Sequence, residues 1–393
     1  MMANSRILEI AFAKTRRQSR PMKGLSFQTA LHGSFYLIGV DDSMHMADAL
    51  ISPAVGATML AVSAGAAAYS VRKIRTDMDE QRIPLMGVMG AFVFAAQMIN
   101  FSIPATGSSG HLGGGMLLAA LLGPQAGFLT MAAVLLIQAL FFGDGGLLAY
   151  GANVFNLGFY TCMLAYPLIY RPIMAQGVTA RKILVASAVS TVVALQLGAF
   201  SVVLETVLSG QTELPFATFI MVMQPIHLAI GTVEGLVTAA VITFIWRARP
   251  ELIDHTASSA VQAGLARKKV LAGLLAAAMI TAGGLSLFAS SDPDGLEWSI
   301  AKTAGTAELE APAGIHQTLA TLQSKISLFP DYTFKANDTA AEQGGTRETD
   351  AKPADQAGTS VAGIAGGLMT LILAGLIGLG VNMIKKHKRD VIV

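Results

Sequence analysis

Long apolar runs separated by short polar segments are the main feature of this 393-residue chain. A helix needs about 20 apolar residues to cross the hydrocarbon core of a bilayer. Runs of that kind occupy residues 50–71, 83–101, 152–170, 183–208, 215–246, 270–290 and 361–384. The pattern therefore predicts an all-α integral membrane protein.

One further apolar run, residues 113–142, is too long for a single straight crossing of about 20 residues. Gly123 and Pro124 lie near its middle, and a proline does not continue a helix that precedes it. We expect two shorter helices here. The total becomes nine crossings, with seven up to residue 246 and two after it.

Lys and Arg residues cluster at alternate ends of the predicted spans. The clusters occupy residues 72–75, 171–182, 247–249, 267–269 and 385–389. Nine crossings put all of them on one side of the membrane, which the positive-inside rule makes cytoplasmic. The first span then starts outside, and the acidic stretch 291–360 is extracytoplasmic. Its Ala-, Thr-, Gly- and Glu-rich end, residues 339–358, is expected to be a flexible tether.

The spans and the segments between them divide the chain into four parts. Residues 1–43 are expected to be a disordered basic leader or an atypical targeting segment, unless translation starts at Met44. Residues 44–250 form the first membrane domain, and residues 251–269 form a cytoplasmic linker. Residues 270–393 contain a helix, the extracytoplasmic segment and a second helix.

Composition agrees with a membrane protein and narrows its chemistry. Hydrophobic residues make up 53% of the chain and charged residues only 13%, where soluble domains carry about 25% charged residues. A net charge of +2, without a basic patch, excludes a nucleic-acid partner. Because Cys162 is the single cysteine, a metal site would need nitrogen or oxygen ligands.

Three polar motifs lie at the predicted outer ends of the spans. They are Met-His-Met-Ala-Asp at 44–48, Gly-Ser-Ser-Gly-His-Leu-Gly-Gly at 107–114, and Phe-Gly-Asp-Gly-Gly at 142–146 with Asn153 and Asn156. Polar side chains are costly near a membrane interior, so those that occur there often have a function. We expect any functional site to be built from these motifs.

The first motif could chelate a metal ion. If Met44 were the first residue, its amine, the amide nitrogen of His45 and the His45 imidazole could surround one ion in fused five- and six-membered rings. His111 is the candidate for a fourth nitrogen, and square-planar nitrogen coordination is typical of Ni(II) or Cu(II). The alternative is that His45 is an interfacial histidine and that His111 caps a helix or binds a backbone carbonyl.

Other polar residues are predicted to be structural. His227 and Glu234 lie two helical turns apart on one face, and structural hydrogen bonds are expected for them, as for Gln97 and Asn100. The glycines at 107–115 lack the Gly-Lys-Ser/Thr ending of a phosphate-binding loop, and no Gly-Lys dipeptide occurs in the chain. ATP would therefore be handled by another subunit.

The motifs at 44–48, 109–114 and 142–146, with Gly-Ala-Asn-Val-Phe-Asn at 151–156, resemble the NikM/CbiM family. These proteins are the substrate-binding membrane subunits of nickel and cobalt energy-coupling-factor (ECF) transporters. The resemblance covers roughly residues 44–249. The chain departs from the family in its 43-residue leader, which would place the Met44 nitrogen in a peptide bond, and in Ala49, where the family usually has glycine.

The later part of the chain resembles the small accessory subunit of these systems, which has two spans around an extracytoplasmic segment. The matching motifs are Pro-Asp-Gly-Leu-Glu-Trp at 293–298 and Phe-Pro-Asp-Tyr at 329–332. Residues 270–393 are therefore called the accessory region, and residues 291–360 the accessory segment. The resemblance implies that this region helps to load or release metal without a fixed metal ligand, so we expect no metal site there.

For the whole chain, the resemblance implies a seven-helix ECF substrate-binding bundle followed by two further transmembrane helices that flank an extracytoplasmic segment. It implies Met44, His45 and His111 as metal ligands. The substrate would be nickel, with cobalt, for uptake linked to cobalamin biosynthesis, as the alternative. A transmembrane coupling subunit and two ATPase subunits would be the partners in the plasma (inner) membrane. The chain itself would be non-catalytic and bind no ATP.

The sequence also admits two other classes of function. An intramembrane hydrolase would use His111, Asp144 and a serine such as Ser109 as catalytic groups. A metal-independent secondary transporter would require inverted repeats, and none is visible in the sequence.

Overall fold

Helices make up most of the chain in the computed structural model. The structure describes residues 44–77, 83–250, 253, 263–306, 309, 312–334 and 353–392. The predictions for the leader at 1–43, for most of the linker at 251–269 and for residues 339–352 lie outside these residues.

The α-helices follow one another along the chain with few regular strands between them. They are α1 (Pro53–Asp77), α2 (Ile83–Gln97), α3 (Gly115–Leu122), α4 (Pro124–Ile137), α5 (Tyr150–Val154), α6 (Arg171–Met174), α7 (Ala180–Ser209), α8 (Phe216–Ala248), α9 (Ala263–Gly283), α10 (Gly295–Ala304), α11 (Ile315–Ile326) and α12 (Pro353–Ile392). Wider π-helical segments extend α4 over Gln138–Phe142 and join α5 to α6 over Phe155–Tyr170.

Within the described residues, five helical stretches are long and apolar enough to cross a membrane. They are Pro53–Ile74, Pro124–Phe142, Ala180–Ser209, Phe216–Ala248 and Gly358–Ile384. Helix α2 and the apolar stretch Lys269–Gly283 of α9 are shorter and fall below the length of a full span. The prediction of a multi-pass helical membrane protein is thus confirmed at this coarser level, and the count of nine crossings stays a prediction.

The predicted break in the apolar run 113–142 is present. Gly123 separates α3 from α4 and has a φ of 83°, which a residue with a side chain rarely adopts. Pro124 is the first residue of α4, where its missing N–H breaks no helical hydrogen bond. Since α3 has only 8 residues, it is too short to cross a bilayer by itself.

A small β-hairpin departs from the all-α prediction. Strand β1 (Phe101–Ile103) pairs with the antiparallel strand β2 (Ser108–Gly110), with Phe101 opposite Gly110. The predicted span 83–101 therefore ends earlier, at Gln97. The hairpin gives hydrogen-bond partners to backbone groups that follow α2 and are no longer in a helix.

The accessory region also differs from the prediction in its boundaries. Helix α9 ends at Gly283 rather than at 290, and a 3-10 turn, Leu285–Phe288, follows it. The first half of the accessory segment contains α10, α11 and a 3-10 turn at Pro330–Tyr332. The last residues of the predicted tether are helical, because α12 begins at Pro353.

Helices of the accessory region pack on the first membrane domain. Both α9 and α12 contact α2. At Gly87 of α2, an added Cβ would lie only 2.8 Å from the backbone oxygen of Leu371 in α12. Small residues at such a crossing let two helix backbones come close together.

Candidate metal site

The N-terminal end of the described chain is fixed to the bundle by backbone contacts of Met46. The Met46 N–H donates to Oδ1 of Asn153 at 3.0 Å, and Nδ2 of Asn153 donates to the Met46 carbonyl at 3.0 Å. The N–H of Gly146 donates to the same carbonyl. His45 precedes Met46 in the first polar motif. These three bonds therefore hold His45 against the part of the chain that carries the third polar motif.

The turn after Met46 is fixed by Asp48. Oδ1 of Asp48 accepts a hydrogen bond from the Ala149 N–H at 2.9 Å. Burial raises the pKa of the Asp48 carboxyl above its ordinary value, against the opposing effect of the hydrogen bonds. Ala49 is buried in the 3-10 turn Asp48–Leu50 and is not among the residues with a positive φ. Alanine is therefore compatible with a turn where the family usually has glycine.

Two histidines from separate motifs meet in the interior. The ring centroids of His45 and His111 are 5.3 Å apart, with an angle of 62° between the ring planes. His45 is 4% exposed, and His111 is also largely buried. The sequence places these residues 66 positions apart (111 − 45), so only the fold brings them together.

Asp144 links His45 to the accessory segment. Its Oδ1 lies 2.9 Å from Nδ1 of His45, and its Oδ2 accepts a 2.6 Å hydrogen bond from the Tyr332 hydroxyl. Burial alone would raise the pKa of Asp144, but the charge of His45 and the two hydrogen bonds hold it below its ordinary value. The carboxylate is thus favoured in its ionised form between the imidazole and the phenol.

His111 faces a second aspartate, Asp294, which belongs to the accessory segment. Nδ1 of His111 lies 3.4 Å from Oδ2 of Asp294, and neither atom has a hydrogen bond with another described residue. The contact therefore has the length of an ion pair rather than that of a well-formed hydrogen bond. Burial would lower the pKa of His111, but the negative charge of Asp294 raises it above its ordinary value.

The backbone after His111 is held by Glu234. The N–H groups of Gly113 and Gly114 donate to Oε2 and Oε1 of Glu234 at 2.9 and 2.8 Å. Nε2 of Gln97 donates to the Gly113 carbonyl at 2.8 Å. The structural interpretation of Glu234 and Gln97 is thus confirmed by these bonds to the backbone.

His45 and His111 lie beside a cavity of about 80 Å³. Its lining includes Met44, His45, His111, Asn156, His227 and Asp294. A space of this size can hold a metal ion together with bound water. His227 donates from Nδ1 to the Met223 carbonyl at 2.9 Å, which fixes that ring nitrogen as the one with the proton.

All three ligand candidates, Met44, His45 and His111, line this one cavity. In the described ranges, no group of three or more His, Cys, Asp or Glu side chains is arranged to hold a metal ion. The chelate derived from the sequence draws two of its nitrogens from the backbone. Its six-membered ring needs Nδ1 of His45, and in this structure that atom faces Asp144, so the imidazole must turn to bind metal.

The structure adds three residues that the sequence did not assign to the site: Asp294 and His227, which line the cavity, and Tyr332, which bonds to Asp144. Asp294 and Tyr332 belong to the two motifs of the accessory region, and those motifs are the feature of the sequence that could have indicated them. Ser109, the serine of the hydrolase alternative, bonds to the accessory segment. Its hydroxyl donates to the Asp292 carbonyl at 2.8 Å, and its N–H donates to the Pro293 carbonyl.

Comparisons with known protein families match the first membrane domain and the accessory region separately. Residues 45–252 match the family CbiM, described as the cobalt uptake substrate-specific transmembrane region. Residues 268–383 match the PDGLE domain. The two matches confirm the resemblance to the NikM/CbiM family with a fused accessory region.

Three individual proteins are similar to the chain. A candidate metal transport protein of Haloquadratum walsbyi is 37% identical over 53% of this chain and 93% of its own length. A candidate fused nickel transport protein NikMN of Archaeoglobus fulgidus is 31% identical over 84% of this chain and 96% of its own length. A crystal structure of a truncated transition metal transporter is 30% identical, covers 52% of this chain and 98% of that chain, and has a TM-score of 0.46. By the two family matches, over residues 45–252 and 268–383, the chain belongs to the CbiM family of nickel and cobalt transport membrane proteins and carries a PDGLE domain in the same polypeptide.

Proposed function

We propose that this protein is the substrate-binding membrane component of an ATP-driven, ECF-type nickel uptake transporter. The observation that carries the proposal is the meeting of His45 and His111, with ring centroids 5.3 Å apart, on the wall of one partly open cavity. Two imidazoles from distant motifs in a cavity lined largely by apolar residues are suited to a transition metal rather than to Mg²⁺ or Ca²⁺.

The ion would be held by four nitrogen atoms. Met44 supplies its amine, His45 supplies its amide and imidazole nitrogens, and His111 supplies the second imidazole. This set requires Met44 to carry a free amine and His45 to turn Nδ1 from Asp144 toward the ion. Planar nitrogen coordination suits Ni(II).

Nickel is preferred over cobalt for two reasons. The nitrogen set favours a planar ion, and the relative from Archaeoglobus fulgidus, which matches over both parts of the chain, is described as a nickel transport protein. Cobalt is the alternative, because the family that matches residues 45–252 is described by cobalt uptake.

The remaining parts of the transporter would be other subunits. The chain contains no Gly-Lys dipeptide, so a transmembrane coupling subunit and two ATPase subunits would supply the energy. In this proposal residues 44–250 form a seven-helix bundle in the plasma (inner) membrane, and two further helices flank the accessory segment. The cavity then opens to the outer face, and the chain is non-catalytic.

Metal content and absorption spectra of the purified protein test the ligand set. A form that begins at Met44 should contain about one nickel ion with a square-planar spectrum. A form with two extra residues before Met44, and the variant His111→Ala, should both lose the ion. The variant His255→Ala, which removes a histidine from the predicted linker, is the matched control and should keep it.

Equal nickel binding with and without the two extra residues would exclude the amine ligand. Binding that survives His111→Ala would exclude the second imidazole. A competition between nickel and cobalt for the same purified protein decides between the substrates, because the proposal expects nickel to displace cobalt and the reverse result would favour cobalt.

A further inference from the structure

The accessory segment reaches both histidines of the site. On one side, the Tyr332 hydroxyl donates a hydrogen bond to Asp144, and Asp144 is hydrogen-bonded to Nδ1 of His45. On the other side, Asp294 faces His111 at 3.4 Å. Each proposed imidazole ligand therefore has a carboxylate beside it, and the accessory segment supplies one of these carboxylates and holds the other.

Tyr332 is held firmly in its position. Its ring stacks on Phe142 with a centroid distance of 5.1 Å and an interplanar angle of 24°. The N–H groups of Leu328 and Phe329 donate to the Phe141 carbonyl at 2.9 and 3.0 Å. Tyr332 itself has a φ of 57°, a backbone conformation that a bulky residue adopts only when its surroundings fix it.

Asp294 is fixed just as specifically. It precedes α10, and the carbonyls of Asp292 and Pro293 accept hydrogen bonds from Ser109 in strand β2. The indole N–H of Trp298 donates to the Thr106 carbonyl in the hairpin turn at 3.1 Å. The Asp294 carboxyl is 6% exposed and lines the cavity, and its Oδ2 accepts no hydrogen bond from another described residue.

Histidines that bind metal usually donate their other ring N–H to a carboxylate or a carbonyl, which fixes the tautomer and the direction of the ring. At His111, a proton on Nδ1 that is directed to Asp294 leaves Nε2 to bind the ion. At His45, the imidazole has to turn to bind the ion. The Tyr332 phenol keeps the Asp144 carboxylate beside this imidazole in one defined position. Both effects depend on the docked accessory segment.

We propose that Asp294 and Tyr332 are positioning residues for the metal site: the accessory segment completes the surroundings of His111 directly through Asp294 and those of His45 through Tyr332 and Asp144. The inference rests on the proposed function, since it needs the two histidines to be metal ligands. It adds that the PDGLE part of the chain determines the geometry, and hence the affinity, of a metal site whose ligands all lie in the other part.

The test compares nickel affinity and the nickel absorption spectrum among variants of the purified protein, in the form that binds nickel above. Tyr332→Phe removes one hydroxyl and keeps the stacked ring, and its matched control is Tyr150→Phe, whose hydroxyl bonds the Ala132 carbonyl. Asp294→Asn and Asp294→Ala are compared with Asp292→Asn and Asp292→Ala. The Asp292 carboxylate contacts Ser290 rather than a histidine.

Loss of such an outer partner typically weakens metal affinity by about 10-fold to 100-fold. We expect about 10-fold weaker binding for Tyr332→Phe and for Asp294→Asn, which keeps an acceptor oxygen, and about 100-fold weaker binding for Asp294→Ala. The absorption bands of bound nickel should shift in these variants, which a loss of folding stability alone would not cause. The three control variants should bind as the parent protein does.

The result that would overturn the inference is parent-like affinity and spectrum in Tyr332→Phe and in both Asp294 variants. Equal weakening in the Asp292 controls would also overturn it, because a general loosening of the segment would then be the cause. His111→Ala separates this failure from failure of the proposed function. If His111→Ala still binds nickel, the ligand set is wrong, whereas loss of binding only in that variant leaves the ligand set intact and removes the positioning role.

Discussion

At the scale of single residues, Asn153 has an unusual position, because it makes two hydrogen bonds to the backbone of one residue, Met46. Its amide supplies an acceptor and a donor at the same time, which the ionised aspartate side chain of the same length cannot do. The segment that carries Met44 and His45 depends on these bonds for its place beside the cavity. Asn153 therefore positions the segment of the proposed ligands through its bonds to Met46.

Replacement of Asn153 by alanine should weaken both folding and metal binding. The Met46 N–H loses its partner, whereas the Met46 carbonyl keeps the N–H of Gly146. An unsatisfied buried group costs about 1–3 kcal/mol. Thermal unfolding in detergent and nickel titration measure the two effects. A parent-like Asn153→Ala would contradict this role.

Asp48 gives a prediction for the dependence of stability on pH. Because burial raises the pKa of Asp48 in the folded protein, the folded state binds more protons than the unfolded state does, and stability falls as pH rises through the folded pKa. Asp48→Asn keeps an oxygen for the Ala149 N–H and removes the charge. We expect the variant to gain stability relative to the parent as pH rises above 3.8, the ordinary pKa of an Asp carboxyl.

Melting temperatures of both proteins at a series of pH values measure this difference. The two curves should approach one another at the acid end, where the parent carboxyl is protonated. A parent protein that instead gains stability relative to Asp48→Asn as pH rises would show that the carboxylate is favoured in the folded state.

At the scale of elements, the connection between α2 and α3 is held by a residue from α8. Glu234 accepts the N–H groups of Gly113 and Gly114, which begin the turn into α3 and lie just after His111. Free N–H groups at the start of a helix need such acceptors. A carboxylate on a distant helix thus fixes both the start of α3 and the direction of the loop that carries His111.

Glu234→Gln should therefore loosen this connection. A glutamine keeps one acceptor oxygen and replaces the other with a donor that faces an N–H, which costs about 1–3 kcal/mol for the buried group left without a partner. We expect lower thermal stability and weaker nickel binding in the same variant. Glu213→Gln, at an exposed position, is the control and should change neither quantity.

The apolar pattern predicted most of the helices, because helical spans are set by local sequence. The break at Gly123 and Pro124 could be read in the same way, since both residues act on the backbone next to them. The hairpin could not, because strands of 3 residues leave no periodic signal. The positions of Asp294 and Tyr332 depend on how the accessory segment docks, which is a tertiary property. The two motifs of the accessory segment therefore indicate that the segment matters, but only the fold shows that it lies beside His45 and His111.

At the scale of the whole molecule, the accessory region is held by its helices as well as by its contacts at the cavity. Helices α9 and α12 both pack on α2, and the accessory segment lies between them in sequence. A segment tethered at both ends to the bundle that it contacts stays at high local concentration near its docking surface. The close crossing of α2 and α12 is the part of this arrangement that one substitution can test.

Gly87→Ala should displace α12 from α2. The added Cβ would lie 2.8 Å from the backbone oxygen of Leu371, and a backbone atom cannot rotate away as a side chain does. The matched control is Gly65→Ala in α1, where an added Cβ meets nothing within 4 Å. Since alanine is a better helix former than glycine by about 1 kcal/mol, the control should be as stable as the parent or more stable.

Gly87→Ala should thus lower the melting temperature, whereas Gly65→Ala should leave it unchanged or raise it, although the chemical change is the same. Nickel affinity adds a second measurement: displacement of α12 shifts the accessory segment and should weaken binding in Gly87→Ala, while Gly65→Ala binds as the parent does. Lower stability with unchanged affinity would mean that the docking of Asp294 and Tyr332 does not depend on this helix. In that case the short contacts around the hairpin and Phe141 would be sufficient to hold the accessory segment at the cavity.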